Sequence, residues 1–303
     1  MEFLVCYSNF APKFKQCFML QIQPEDMEVR YFKTYSTNLQ REVEYKTYGE
    51  GGKGVLVFPS QDQRFYEWED SGMVAALSPM IEAGLFHLIC CDSIDRETWS
   101  VVDENLDRKH SYRALIELHE RWYNYIIEEL IPQVNRGEQL VVTGCSMGGY
   151  HAGNVFFRRP DLFDTLLSLS GLFHADYFFP GFEDSGLPHP IPEPTGDFAF
   201  DLDEASPLIY RNSPIHFLRD QNDPHLLNEQ YRQKKIILCC GQGNYERVTL
   251  ASTRALGRLL EEKNIPAWVD IWGKDVYHDF EWWRKQAAYF FNKIFNQQLR
   301  IAA

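Results

Sequence analysis

The chain has 303 residues, 45% of them hydrophobic and 24% charged, and carries a net charge of −13. That balance is ordinary for a globular protein with a sizeable core, and its acidity excludes a basic nucleic-acid footprint and adhesion to an anionic membrane surface. No apolar run reaches the roughly 18 residues that a bilayer-spanning helix needs, so no membrane partner is expected.

Seven cysteines are present, four of them as the pairs Cys90-Cys91 and Cys239-Cys240 inside apolar runs. Neighbours on a strand face opposite ways, so such pairs do not form ordinary disulfides with each other, and the odd total also favours free thiols. Free thiols point to a reducing compartment. The N-terminus makes a poor signal peptide, because Glu2 comes early and Pro12 and Lys13 interrupt the apolar run, so a cytoplasmic location is expected. No C-x-x-C or Cys/His spacing supports a zinc site.

Residues 1–26 read as an extension outside the main fold, and 27–303 as a single domain. "MEVRYFKTYS" (27–36) and "REVEYKTYG" (41–49) have strand chemistry and, with the apolar run "GVLVFPS" (54–60), predict an antiparallel start to a sheet. "SGMVAALSPMIEAG" (71–84) spaces its apolar residues by three and four and closes on Gly, which predicts a helix before the strand "FHLICCDS" (86–93). "SYRALIELHERWYNYIIEELIPQVNRG" (111–137) predicts one long amphipathic helix, followed by a buried strand over 138–144, a helix stopped by Pro160 and a strand over 163–171. From 172 to about 229 the chain turns rich in Pro and Gly, an irregular insertion after the sixth strand that reads as a lid or a substrate-facing excursion, with plain surface packing as the alternative. Regular order resumes with a strand (234–241), a helix (248–264), a strand (266–273) and a terminal helix (280–298). Such alternation implies right-handed crossovers and an α/β fold: a mostly parallel sheet with antiparallel N-terminal strands and helices on both faces.

Within "LVVTGCSMGGYHAGNVFFRRP" (140–160), Ser146 stands between a strand and a helix with Gly144 before it and Gly148 and Gly149 after it. A G-x-S-x-G in that context is a nucleophile elbow, where glycines give the clearance a sharp strand-to-helix turn requires. Serine is a weak nucleophile at its own pKa and needs a base with an acid to orient it, expected in the order serine, acid, histidine on loops after later strands. His278, in "GKDVYHDFEWW", follows the last strand, and Glu246, in "GQGNYERV", is the first carboxylate after the preceding one. Asp270, Asp275 and Asp279 are the competing acids. Backbone N–H donors for the oxyanion are expected from Met147 and, since Pro59 has none, from Ser60, with Gln61 as the alternative. His151 and His174 read as structural histidines.

These segments resemble the esterase D type of α/β-hydrolases, a family that includes S-formylglutathione hydrolase, feruloyl esterases, enterobactin esterases and the mycolyltransferases. "GCSMGGYHAGNVFFRRPDLFDTLLSLSG" is similar to that family's nucleophile segment and "HDFEWWRKQ" to its histidine segment. "GQGNYE" resembles the loop that carries the acid in the mycolyltransferases, where the glutamate comes one residue later, and "VLVFPSQDQRFYEWED" resembles the oxyanion segment, with Pro59 where glycine is usual. The resemblance covers roughly 30–297 and implies an α/β-hydrolase fold and ester hydrolysis or acyl transfer with no metal or organic cofactor. The expected partner is a small-molecule ester or acyl substrate; self-association into a homo-oligomer is left open.

Phe65, Tyr66, Trp68, Tyr177, Phe178, Phe179, Phe182, Trp282 and Trp283 fall near the expected site and are candidates to line an apolar pocket or to pack the core. Three readings follow: a serine carboxylesterase, an acyltransferase or peptidase with the same triad, and a binding protein that keeps the fold without turnover.

Overall fold

The computed structural model describes residues 27–101, 112–178 and 207–299. The expected 1–26 extension and residues 179–206 of the insertion lie outside the described residues.

Among the described residues, eight strands form one sheet: β1 (Val29–Ser36), β2 (Arg41–Tyr48), β3 (Lys53–Phe58), β4 (Phe86–Cys91), β5 (Leu140–Cys145), β6 (Phe163–Leu169), β7 (Lys235–Cys240) and β8 (Trp268–Ile271). Their spatial order is β1-β2-β4-β3-β5-β6-β7-β8. The two N-terminal strands pair antiparallel with each other, and β2 pairs antiparallel with β4. From β4 onward every pairing is parallel. This is the mostly parallel sheet with an antiparallel start that the alternation of elements implied.

The period of two along each strand divides the core into two layers. Leu56, Phe58, Ile89, Cys91, Val142, Leu166 and Leu238 face one side, where they meet Trp122, Ile126, Phe156 and Leu256. Val55, Val57, Leu88, Cys90, Val141, Leu167 and Cys239 face the other, against Met73, Leu77, Phe290 and Phe291. β4 and β5 are buried at every residue, which is why they read as unbroken apolar runs. Each buried Val, Leu or Phe contributes roughly 1.5–3 kcal/mol relative to exposure.

The second layer is built by α2 (Met73–Glu82), after the single turn α1 (Glu67–Asp70), and by α9 (Phe280–Leu299); the first is built by α3 (Tyr112–Asn124), α5 (Met147–Arg158) and α8 (Arg247–Glu262). The long helix expected over 111–137 is helical from Tyr112 to Val134 but is not α-helical throughout. α3 passes into a π-helical turn over Tyr125–Leu130, in which the Ile131 N–H reaches back to the Ile126 carbonyl, and then into α4 (Ile131–Val134). Pro132 supplies the reason, since it has no N–H to continue the i to i−4 ladder. Among the described residues of the insertion are a short turn over Ala175–Phe178 and the helices α6 (Pro214–Asp220) and α7 (Pro224–Tyr231).

The five cysteines among the described residues are free and buried. Among the described residues, no helix is long and apolar enough to cross a membrane. Because β3 and β5 to β8 run parallel, the loops that leave their C-terminal ends gather on one edge, the usual ligand-binding edge of an open α/β sheet.

Candidate active site

Ser146 stands between β5 and α5 with φ 55° and ψ −119°, a conformation that side-chain-bearing residues rarely adopt. Its N–H donates to the Leu169 carbonyl at 2.8 Å, which ties the turn to the end of β6. The flanking glycines are sterically required. A Cβ at Gly144 would run into the backbone of Gly148, and one at Gly148 would sit 2.6 Å from the Pro59 carbonyl oxygen and nearer still to that of Phe58. A strained turn of this kind costs on the order of 1–3 kcal/mol and persists only where its surroundings enforce it.

His278 reaches Ser146 from the loop after β8: its Nε2 lies 2.8 Å from Ser146 Oγ. Its Nδ1 lies 3.1 Å from Glu246 Oε2. Three residues separated widely along the chain are thus brought into one hydrogen-bonded line. The His278 N–H donates to the Asn244 carbonyl at 3.1 Å, and the imidazole meets Trp283 edge-on with centroids 4.8 Å apart. These contacts fix both the height and the tilt of the ring.

Glu246 is fully buried at the start of α8. Beyond His278, its carboxylate accepts the hydroxyls of Ser170 and Thr249, each at 2.6 Å, and the Cys240 thiol at 3.3 Å. Burial by itself would raise its pKa, but the hydrogen bond and charge of His278, with Ser170 and Thr249, outweigh it and hold the carboxyl down to about 2. An ionised Glu246 can only accept, so His278 Nδ1 carries the ring hydrogen and Nε2 is free to accept from the Ser146 hydroxyl. Among the competing acids, Asp279 caps α9 by accepting the Trp282 N–H at 3.1 Å. Asp270, Asp275 and Asp279 make no hydrogen bond to His278 among the described residues.

The two expected oxyanion donors fare differently. Met147 is the first residue of α5, where helix geometry leaves its N–H without an intrahelical acceptor. The Ser60 N–H donates to Glu67 Oε2 at 2.8 Å, and the Ser60 hydroxyl donates to Glu67 Oε1. Counting N–H groups after Pro59 identified the first donor but not its acceptor. Gln61, the alternative, lines a cavity together with Ser146, Met147 and His278.

That cavity has a volume of about 440 Å³, and Leu172, Tyr177 and Phe178 supply its apolar wall. Of the other aromatic candidates, Phe65, Trp68 and Trp283 are buried in the core, while Phe179 and Phe182 lie outside the described residues. His151 is buried with its Nε2 2.8 Å from Asp95 Oδ1, and His174 Nδ1 lies 3.4 Å from Ser252 Oγ. Thr249 and Glu67 carry no signal in the sequence, and Ser170 stands out only as part of the serine-glycine pair that closes the strand after the elbow. Ser170 lies in "SLSG" at the end of a strand, and Glu67 in a short acidic turn, contexts too common to single out a residue. Among the described residues, no group of three or more His, Cys, Asp or Glu side chains could hold a metal ion.

The parallel sheet, the strained serine turn and the histidine loop after the last strand together define an α/β-hydrolase. The comparisons agree. Residues 87–294, more than half of the chain, match the family model described as "Putative esterase"; the chain belongs to that esterase family and is a carboxylic ester hydrolase. No curated protein matches the sequence. Among solved structures, the fold is similar to that of a ferulic acid esterase, at 14% identity and a TM-score of 0.63 over 89% of this chain and 98% of that one. It is also similar to S-formylglutathione hydrolase from Staphylococcus aureus, at 15% identity and 0.57 over 86% and 94%. A fluorophosphonate-binding serine hydrolase of the same organism matches at 15% and 0.56 over 86% and 96%.

Proposed function

We propose that the chain hydrolyses carboxylic esters through an acyl-enzyme on Ser146, with His278 as general base and Glu246 as the acid that orients it. The observation that carries this reading is the continuous line from Ser146 Oγ to His278 Nε2, at 2.8 Å, and from His278 Nδ1 to Glu246, at 3.1 Å. In this mechanism His278 takes the hydroxyl proton as Ser146 Oγ attacks the ester carbonyl carbon. The tetrahedral oxyanion is received by the N–H groups of Met147 and Gln61. The imidazolium then returns the proton to the departing alcohol oxygen. A water molecule, activated by the same imidazole, attacks the acyl carbon and frees Ser146. Glu246 stays ionised throughout and stabilises the imidazolium formed in each half-reaction.

A cavity of about 440 Å³ bounded by Leu172, Tyr177 and Phe178 suits the acyl or alcohol part of a small, moderately apolar ester. The test uses a fluorophosphonate probe and p-nitrophenyl acetate. The wild-type chain is expected to be labelled and to turn the ester over, and Ser146→Ala to lose both. Labelling without turnover of esters would point to acyl transfer to a special acceptor; a wild-type chain that is neither labelled nor active would refute the mechanism.

A further inference from the structure

The loop between β3 and α1 carries Gln61 to the wall of the cavity, and its conformation decides where the Gln61 N–H points. Two successive peptide planes set that direction. The Ser60 carbonyl and the Gln61 N–H belong to one plane, and the Ser60 carbonyl accepts the Gln63 N–H at 3.1 Å, which turns the Gln61 N–H the opposite way. The preceding plane contains the Ser60 N–H, and this is held by Glu67 Oε2 at 2.8 Å, while Glu67 Oε1 takes the Ser60 hydroxyl.

Glu67 is an unusual residue for this position, because the residue is only 7% exposed and no cation pairs with it among the described residues. Burying a carboxyl group is costly unless hydrogen bonds compensate, and both of its oxygens are committed to Ser60. The far end of the loop is held in the same manner: Asp92 Oδ1 accepts the Phe65 N–H at 3.0 Å and the Arg64 Nε–H at 2.7 Å. Between the two anchors, Gln61 Nε2 donates to Ser100 Oγ at 3.0 Å. A Cβ at Gly148 would collide with the carbonyls of Phe58 and Pro59, so the start of the loop lies close against the nucleophile turn.

We propose that Glu67 is a positioning residue for ester hydrolysis: by clamping Ser60 through its N–H and its hydroxyl, it aims the Gln61 N–H at the oxyanion formed on the Ser146 adduct. This role rests on the acyl-enzyme reading above. Burial raises the Glu67 pKa while the two Ser60 bonds lower it. Reach is what the role needs, and charge is not: the oxygen of a glutamine could still accept the Ser60 N–H, and its NH2 could donate to Ser60 Oγ. An aspartate keeps the charge but falls one methylene short.

The test measures kcat and KM for p-nitrophenyl acetate, fluorophosphonate labelling rate and thermal unfolding for the wild type, Glu67→Ala, Glu67→Gln and Glu67→Asp. A misplaced oxyanion donor weakens binding of the transition state without weakening that of the substrate. Glu67→Ala and Glu67→Asp should therefore lose about 10- to 100-fold in kcat and in kcat/KM with KM little changed, and Glu67→Gln should stay within about threefold of wild type. A folded Glu67→Ala with wild-type kcat, a change confined to KM, or a Glu67→Gln as impaired as Glu67→Ala would each overturn the role. Should Glu67→Ala fail to fold, the other two decide: Glu67→Asp at least tenfold slower than Glu67→Gln supports the role, and the reverse or equality overturns it. A wild-type chain inert to both probe and ester would refute the acyl-enzyme reading, and this role with it; an active wild type with indifferent Glu67 variants would refute this role alone.

Discussion

Glu246→Gln tests the orienting acid while keeping its shape. The glutamate faces donors on both oxygens: Oε2 receives His278 Nδ1–H, the Thr249 hydroxyl and the Cys240 thiol, and Oε1 receives the Ser170 hydroxyl and, at 3.4 Å, the Gly241 N–H. An amide must turn its NH2 toward one of these sets. A backbone N–H cannot reverse its role, whereas a hydroxyl can rotate and an imidazole can change tautomer, so the glutamine nitrogen should face His278. The ring hydrogen would then move to Nε2, where it blocks acceptance from Ser146.

The charge is lost as well. Unit charges about 4 Å apart interact by about 4 kcal/mol at an effective dielectric of 20, or about 10³-fold in rate, and the wrong tautomer in a triad costs up to about 10⁴-fold. Glu246→Gln is therefore expected to lower kcat for p-nitrophenyl acetate by about 10³- to 10⁴-fold, with a parallel fall in the fluorophosphonate labelling rate. A folded variant within tenfold of wild type in kcat would show that Glu246 is not the acid, or that His278 needs none.

Two further outcomes follow from the same geometry. Glu246 titrates at about 2 in the folded chain against 4.5 for the free side chain, so its contribution to stability is complete above about pH 4.5 and is lost as the pH falls toward 2. Urea midpoints of wild type and Glu246→Gln should differ by a constant amount above about pH 5 and converge below it; a gap that widens in acid would contradict the sign. Gly148→Ala would press a Cβ onto the Phe58 and Pro59 carbonyls, and overpacking of this kind costs roughly 1–3 kcal/mol. It should lower the unfolding temperature and reduce kcat at least tenfold, and a variant with wild-type values of both would show that the loop yields freely.

Much of the architecture was legible because it depends on local chemistry. Unbroken apolar runs such as "LVVTGC" must be buried on both faces, glycines at 144 and 148 announce a turn no side chain could enter, and Pro160 ends a helix wherever that helix sits. The order of serine, acid and histidine along the chain is the one expected of an α/β-hydrolase, with each residue on a loop that leaves the same edge of the sheet. The long helix over 111–137 is helical from Tyr112 to Val134, but its π turn over Tyr125–Leu130 leaves no mark on apolar periodicity, which registers amphipathicity alone.

Sequence by itself determined which residue types were available to the site: a hydroxyl in a glycine-framed turn, one imidazole past the final strand, and a carboxylate past the one before. Only the tertiary structure decided which partners they take. Glu246, at the start of α8, lies within hydrogen-bonding reach of His278 Nδ1, whereas Asp270, Asp275 and Asp279 make no hydrogen bond to that ring among the described residues, and the Ser60 N–H donates to Glu67. Whether a donor is free depends on hydrogen bonds closed in three dimensions, and pattern along one dimension carries no record of them.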